Sequence, residues 1–141
     1  MAEGDELYQM VFKVSEAFYE KLYNDPWLKD IFKIIKQDII TSQQTDFMVG
    51  NLGGPRKYCG RSPSDAHPHI YVDEEMWQLR EKYLVEALEE TGFPKELGEK
   101  WLKIDQAFKS QIIKSSVSEC VKRYKGDEII YVPNPNSKKA A

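Results

Sequence analysis

The stretch NLGGPRKYCGRSPSDAHPHIYV, residues 51–72, contains both histidines of this 141-residue chain, His67 and His69. It also holds three glycines and three prolines, which interrupt regular structure. A loop of about twenty residues is long for a connection inside a small domain. We therefore expect a function or a bound group to hold this segment in place.

Helical patterns precede the segment. Apolar residues recur every three or four positions over residues 6–23 and again over 38–49, as they do on the buried face of a helix. Between the two patterns, YNDPWL (23–28) contains turn-forming residues and a proline suited to a first helical turn. A short segment from Trp27 to Lys36 is expected to link the helices.

Two longer helices are expected after the segment. Asp73 is a typical N-cap for the first of them, and Gly92 a typical residue at its C-terminal end. Pro94 opens the last helix, which we expect to reach about Tyr124 and to end at Gly126. The sequence thus predicts an all-α protein.

The chain length suits one domain. We place this domain at residues 1–126 and a C-terminal extension at 127–141. Within the extension, EIIYV (128–132) predicts a brief extended piece, and the polar tail after it is expected to be disordered.

Composition narrows the classes of function. A net charge of −3 argues against a nucleic-acid partner, and no apolar run approaches the ~18 residues that would span a membrane. The acidic amino terminus does not resemble a secretory signal. Cys59 and Cys120 lie too far apart in sequence for a C-x-x-C motif. We expect a cytoplasmic protein with reduced thiols.

Four pieces of the chain carry a resemblance to a known family. In order they are AFYEKLYNDPWLKDIF (17–32), SQQTDFMVGNLGGPRKYCGRS (42–62), AHPHIYV (66–72) and GFPKELGEKWL (92–102). Together they resemble the truncated haemoglobins, the small two-over-two globins, and are most similar to group I. The likeness covers roughly residues 14–113 and implies the truncated globin fold.

The chain departs from the family pattern at two places. A Gly-Gly pair usually separates the first two helices, and YQMVFKVSEAF (8–18) has none. We therefore expect a first helix that is short or fused to the second. Arg80 and Asp105 fall where the resemblance implies apolar pocket residues, which leaves open whether they line the pocket.

The resemblance implies haem b as cofactor and His67 as the iron ligand. A neutral imidazole is the usual axial ligand of oxygen-binding globins. His69 is the alternative ligand. A third interpretation involves no haem: both histidines lie at the surface in a polar turn.

On the distal side the resemblance implies Tyr19 and Gln44. Dioxygen bound at the iron carries partial negative charge, and a hydroxyl and an amide can each donate a hydrogen bond to it. Taken alone, a core tyrosine and a surface glutamine are ordinary helix residues. Ile40 occupies the position where many larger globins have a distal histidine, and since it cannot ligate iron we expect an open sixth position.

The resemblance also implies contacts with the porphyrin, although core packing would explain any one of these residues: Phe32, Ile40, Phe47, Met48, Tyr58, Val72 and Trp77. Burial of a flat apolar ring is a large hydrophobic gain. Lys57 and Arg61 are the candidate partners of the haem propionates. Cys59 lies beside them, and an inert thiol is the simpler interpretation.

Three functions follow from these residues. The resemblance implies binding of dioxygen, nitric oxide and carbon monoxide, as in oxygen transport, and in some members oxidation of nitric oxide to nitrate with electrons from an unidentified reductase. The alternative is a haem-based sensor or electron-transfer protein that docks a partner through GDEIIYVPNPN (126–136). The third is a helical adaptor without haem.

Overall fold

A computed structural model describes residues 2–33, 35–56, 58, 60 and 66–135, with side chains from residue 6 onward. Within these residues the fold consists of four α-helices, two short 3-10 turns and no strand. The helices are α1 (Ala2–Asn24), α2 (Gln37–Asn51), α3 (Glu74–Glu90) and α4 (Lys95–Ile112), and the turns are Leu28–Ile31 and Val117–Glu119. The expected all-α class is confirmed. None of the described helices is both long enough and apolar enough to cross a bilayer.

Helix α1 is continuous across the position where a glycine pair would divide it. No glycine or proline occurs between residues 5 and 25, so nothing in the backbone interrupts the helix. Val11, Val14, Phe18 and Leu22 are spaced by three or four residues and are almost fully buried against α2 and α3. The expected fusion of the first two helices is confirmed.

The turn after α1 is organised by Asp25. Its Oδ1 accepts hydrogen bonds from the backbone N–H groups of Trp27 and Leu28, both at 2.8 Å. Its other oxygen accepts a hydrogen bond from the Tyr83 hydroxyl on α3. Burial and this carboxylate raise the pKa of Tyr83 to about 12. The expected link between the helices is therefore a 3-10 turn fixed to α3.

Helix α2 ends at the glycine pair. Gly53 has a φ of 100°, a conformation that a side chain disfavours. A Cβ on Gly54 would lie 2.6 Å from Cγ1 of Val49, so the chain can pass close to α2 only because a side chain is absent. These two glycines explain why the helix stops where the loop begins.

The signals around α3 are confirmed, and the expected end of α4 is wrong. Asp73 accepts a hydrogen bond from the N–H of Met76 at 2.9 Å, and Gly92 follows the helix with a φ of 68°. Helix α4, however, stops at Ile112 and does not reach Tyr124. The next residue is extended, because the N–H of Lys114 donates to the carbonyl of Val72 at 2.8 Å instead of continuing the helix.

Beyond α4 the chain forms an irregular segment, residues 113–135, which we call the C-terminal belt. The belt runs back along the residues that precede α3, and Ile130 forms a parallel bridge with Ile70. The Trp27 indole donates to the carbonyl of Val132 at 3.0 Å, which ties the belt to the turn after α1. The expected extended piece at 128–132 thus lies within the belt. The domain boundary at residue 126 stays a prediction, and residues 136–141 lie outside the described part of the chain.

Candidate functional site

A cavity with two adjoining compartments lies between the helices and the segment before α3. The outer compartment has a volume of about 570 Å³ and the inner one about 150 Å³. The larger volume is within the ~300–1,000 Å³ of typical ligand and cofactor pockets. Both compartments are lined by Tyr19, Ile31, Phe32, Ile40, Gln44, Phe47, His67 and Ile70. Apolar and aromatic side chains therefore dominate the walls, with a few polar groups among them.

Two polar donors reach the cavity from different helices. Tyr19 on α1 is only 8% exposed, and Gln44 on α2 lies one turn after Ile40. Burial raises the pKa of the Tyr19 hydroxyl, although the nearby Arg80 opposes the shift. The hydroxyl is therefore protonated at neutral pH. Within the described residues, neither this hydroxyl nor the Gln44 amide is used in a hydrogen bond, so both remain available to a ligand.

Contacts between aromatic rings fix part of the cavity wall. The ring of Phe32 packs edge-on against Tyr19 at 6.1 Å between centroids and stacks on Tyr23 at 5.1 Å. The hydroxyl of Tyr23 donates to the carbonyl of Ile35 at 2.8 Å, which fixes that ring in turn. On α2, Phe47 contacts the ring of Tyr58 at 5.3 Å. These contacts restrict the orientation of the aromatic side chains that line the cavity.

Both histidines border the cavity. His67 lines both compartments, whereas His69 is 3% exposed and lines only the outer one. Hydrogen bonds from Arg123 lower the pKa of Asp127, and the charge of His69 contributes to the same shift. His69 therefore lies close to a carboxylate of the belt. His69 is buried and His67 is half-buried, so neither is a fully exposed surface histidine.

An ion pair forms part of the inner wall. Arg80 on α3 and Asp105 on α4 both line the inner compartment and are joined by two hydrogen bonds of 2.6 and 2.8 Å. The guanidinium also lies 4.6 Å above the ring of Trp77 and 5.3 Å from that of Phe18. Burial disfavours the charge on Asp105, but the Arg80 guanidinium outweighs burial and lowers the pKa of that carboxyl. The wall thus carries a pair of opposite, mutually neutralising charges.

The structure brings together most of the predicted site residues. Met48 and Val72 line the inner compartment and Tyr58 the outer one. Trp77 lines neither of them, because it lies in the core beneath Arg80. Lys57, Cys59 and Arg61 fall outside the described residues.

Sequence analysis did not identify several residues that line the inner compartment: Phe18, Leu22, Leu28, Ile31, Ile70, Met76, Phe108 and Ile112. Helical spacing contained a signal for some of them. Phe108 and Ile112 follow Asp105 by three and seven positions, which places all three on one face of α4. Such spacing also describes an ordinary core face, so it does not by itself separate pocket from core.

Comparison with known proteins places the chain in a family. A family model described as bacterial-like globin matches residues 6–114. The chain belongs to the bacterial-like globin family. The resemblance to truncated haemoglobins is confirmed by the sequence relatives of this globin. It is 36% identical over 75 residues to a group 1 truncated hemoglobin of Tetrahymena pyriformis and 31% identical over 75 residues to one of Tetrahymena thermophila.

Each of these matches covers 53% of this globin and 62% of the relative, so the matched part spans less than two thirds of the relatives' length. Solved structures agree with the sequence comparison. The Fe(III) form of the truncated hemoglobin from Tetrahymena pyriformis has a TM-score of 0.64 and 25% sequence identity with this globin. That alignment covers 77% of this chain and 98% of the other. The expected truncated globin fold is confirmed.

Membership of the globin family implies haem and the binding of diatomic gases such as oxygen. The cavity fits such a group in its chemistry. A flat porphyrin needs apolar and aromatic walls, and its iron needs one imidazole, with room on its other side for a gas. The cavity offers His67 in one wall and the donors Tyr19 and Gln44 in others.

Proposed function

We propose that this globin binds haem b and takes up dioxygen, nitric oxide and carbon monoxide, with His67 as the axial ligand and Tyr19 and Gln44 on the gas-binding side. One observation carries the proposal. An imidazole, a phenol and an amide from three separate segments line one apolar cavity. Such a convergence of a few polar groups in an apolar pocket is typical of a ligand site.

The choice between the histidines rests on their surroundings. His67 reaches the inner compartment together with both donors, whereas His69 lines only the outer one, close to Asp127. His67 therefore shares the inner compartment with both donors, which supports His67 over His69 as the iron ligand. When bound, the haem supplies a metal centre that holds a diatomic gas.

The distal residues determine how firmly a gas would be held. The protonated hydroxyl of Tyr19 and the amide of Gln44 can each donate to a ligand that carries partial negative charge. The Phe32 and Tyr23 rings restrict the Tyr19 side chain, so its donor is positioned before any ligand enters. Ile40 offers no ligating atom on the same helix as Gln44. These features support an open gas-binding position.

Oxidation of nitric oxide is the activity that we expect this pocket to support. Conversion of nitric oxide and dioxygen to one nitrate ion consumes one electron, so sustained turnover requires an external reductase. Donors that retain dioxygen would favour this reaction over loss of the gas. The sensor alternative has less support, because residues 130–134 of the belt are bonded to the globin's own helices and turns.

The absorption spectrum tests the proposal. Purified protein, supplied with haemin if needed, should show a Soret band, a five-coordinate ferrous spectrum without ligand and a shift on addition of carbon monoxide. His67→Ala should lose the axial ligation, and His69→Gln, as the matched control, should retain it. A wild-type protein without a Soret band would favour the haem-free adaptor, and a six-coordinate ferrous spectrum would contradict the open position.

A further inference from the structure

Ala66 is helical, and the chain leaves the helix at His67. Residues 67–72 form turns and extended backbone, and one local bond joins the N–H of Ile70 to the carbonyl of His67 at 3.1 Å. Carbonyls of this proximal turn, residues 67–72, that have no partner within the turn need donors from elsewhere in the chain, because an unpaired buried carbonyl is costly.

The C-terminal belt supplies these partners. Four backbone hydrogen bonds, each 2.8 Å long, join the belt to the turn: Lys114 N–H to Val72 O, Val121 N–H to Pro68 O, Ile130 N–H to His69 O and Tyr71 N–H to Ile130 O. Residues 115–135 lie beyond the part of the chain that matches the family model.

The side chain of Lys114 adds three further hydrogen bonds to those of the backbone. Its ammonium donates to the carbonyl of His67 at 2.9 Å, to that of Ile70 at 2.6 Å and to that of Ile112 at 3.1 Å. An ammonium has three protons, so the whole donor capacity of the side chain is used. Hydrogen bonds from a charged donor are stronger than neutral ones. One side chain thus joins the end of α4 to both ends of the turn at His67.

We propose that Lys114 is a positioning residue for His67, an inference that rests on the proposed function. The ammonium holds the backbone of the ligand residue itself, and the belt holds the two residues after it. These bonds would restrict the orientation in which the imidazole meets the iron. Without the ammonium, the carbonyls of His67 and Ile70 would lose their charged donor, and the imidazole would be held less firmly.

Lys114→Met tests this role because it keeps the length of the side chain and removes its donors. In the full-length haem-loaded protein we expect transfer of haem to excess apomyoglobin to become about tenfold faster, equivalent to ~1.4 kcal/mol. We also expect the iron–histidine stretching band in the resonance Raman spectrum of the ferrous protein to shift or broaden. Lys114→Arg, which retains charged donors, should recover part of both effects.

Lys109→Met is the matched control. Lys109 lies on α4 five residues earlier and pairs at 2.8 Å with the exposed Glu74, so its loss should change neither readout by more than about twofold. If Lys114→Met does not fold, Lys114→Gln, which keeps two donors, should show an intermediate effect. Unchanged haem transfer and an unchanged band in the Lys114 variants would overturn this inference alone. A wild-type protein without a Soret band would overturn the proposed function and this inference with it.

Discussion

The Tyr19 hydroxyl combines three properties of a ligand donor: it is buried, it is protonated at neutral pH, and no described residue accepts its hydrogen bond. A hydrogen bond to a ligand with partial negative charge contributes ~1.5–3 kcal/mol. Tyr19→Phe should therefore raise the rate of dioxygen dissociation by about tenfold to a hundredfold. Stopped-flow measurement of oxygen release from the ferrous protein gives this rate.

Tyr23→Phe is the control for this prediction. Tyr23 contacts the same Phe32 ring, but its hydroxyl is already used by the carbonyl of Ile35. Its removal should leave the dissociation rate within about threefold of wild type, since no donor to the ligand is lost. Equal rates for wild type and Tyr19→Phe would show that Gln44 or water, and not the phenol, holds the gas.

For individual residues, the resemblance to truncated haemoglobins indicated the candidate site, and the residue types alone did not. Tyr19, Gln44 and His67 are each common in other settings, and only their order along the chain separated them from ordinary helix residues. Lys114 carried no such signal. Its role depends on three carbonyls from segments that are distant or irregular in sequence, and a hydrogen bond to a backbone carbonyl leaves no trace in residue identity.

Both ends of α3 were predictable because local chemistry determines them. Asp73 caps α3 with its own side chain, and Gly92 adopts the conformation that other residues avoid. The end of α4 was not predictable from such signals. The apolar spacing continues past Ile112, but the N–H of Lys114 bonds to Val72, a partner more than forty residues away in sequence.

The ion pair between Arg80 and Asp105 is the main charged link between α3 and α4. Asp105 is 8% exposed and Arg80 24% exposed at the side chain, so the loss of one partner leaves the other charge largely buried. Arg80→Met or Asp105→Leu alone should reduce the free energy of unfolding by about 3 kcal/mol, the lower end of the range for buried pairs, because Arg80 keeps some contact with water. Urea denaturation followed by circular dichroism measures this change.

The double variant Arg80→Met/Asp105→Leu distinguishes the contribution of the ion pair to stability from that of side-chain packing. Apolar residues of similar volume can replace a buried pair at little cost, so the double variant should recover most of the stability lost in either single variant. Lys109→Ala, at an exposed pair with Glu74, should change stability by less than about 1 kcal/mol. Additive losses in the double variant would show that the two side chains contribute independently.

On the scale of the whole molecule, the cavity occupies space that a domain of this size would normally fill with side chains. Core residues from α1 and α2, such as Phe18 and Met48, are also pocket residues, so the pocket and the core share their walls. The apolar patterns in the sequence could therefore predict the helices but not the cavity between them. A side chain that faces an empty volume follows the same spacing as one that faces another helix.

Because the cavity lies within the core, haem binding should stabilise the entire fold. A ligand that binds only the folded state at a hundredfold excess over its Kd contributes ~2.7 kcal/mol. For a chain of this length we expect the Tm to rise by about 10 °C between the apoprotein and the haem-loaded protein. Calorimetry at increasing haemin concentration measures the shift. His67→Ala, which retains the apolar walls but lacks the proposed ligand, should show a smaller shift, and a wild-type Tm independent of haemin would contradict a haem site in this cavity.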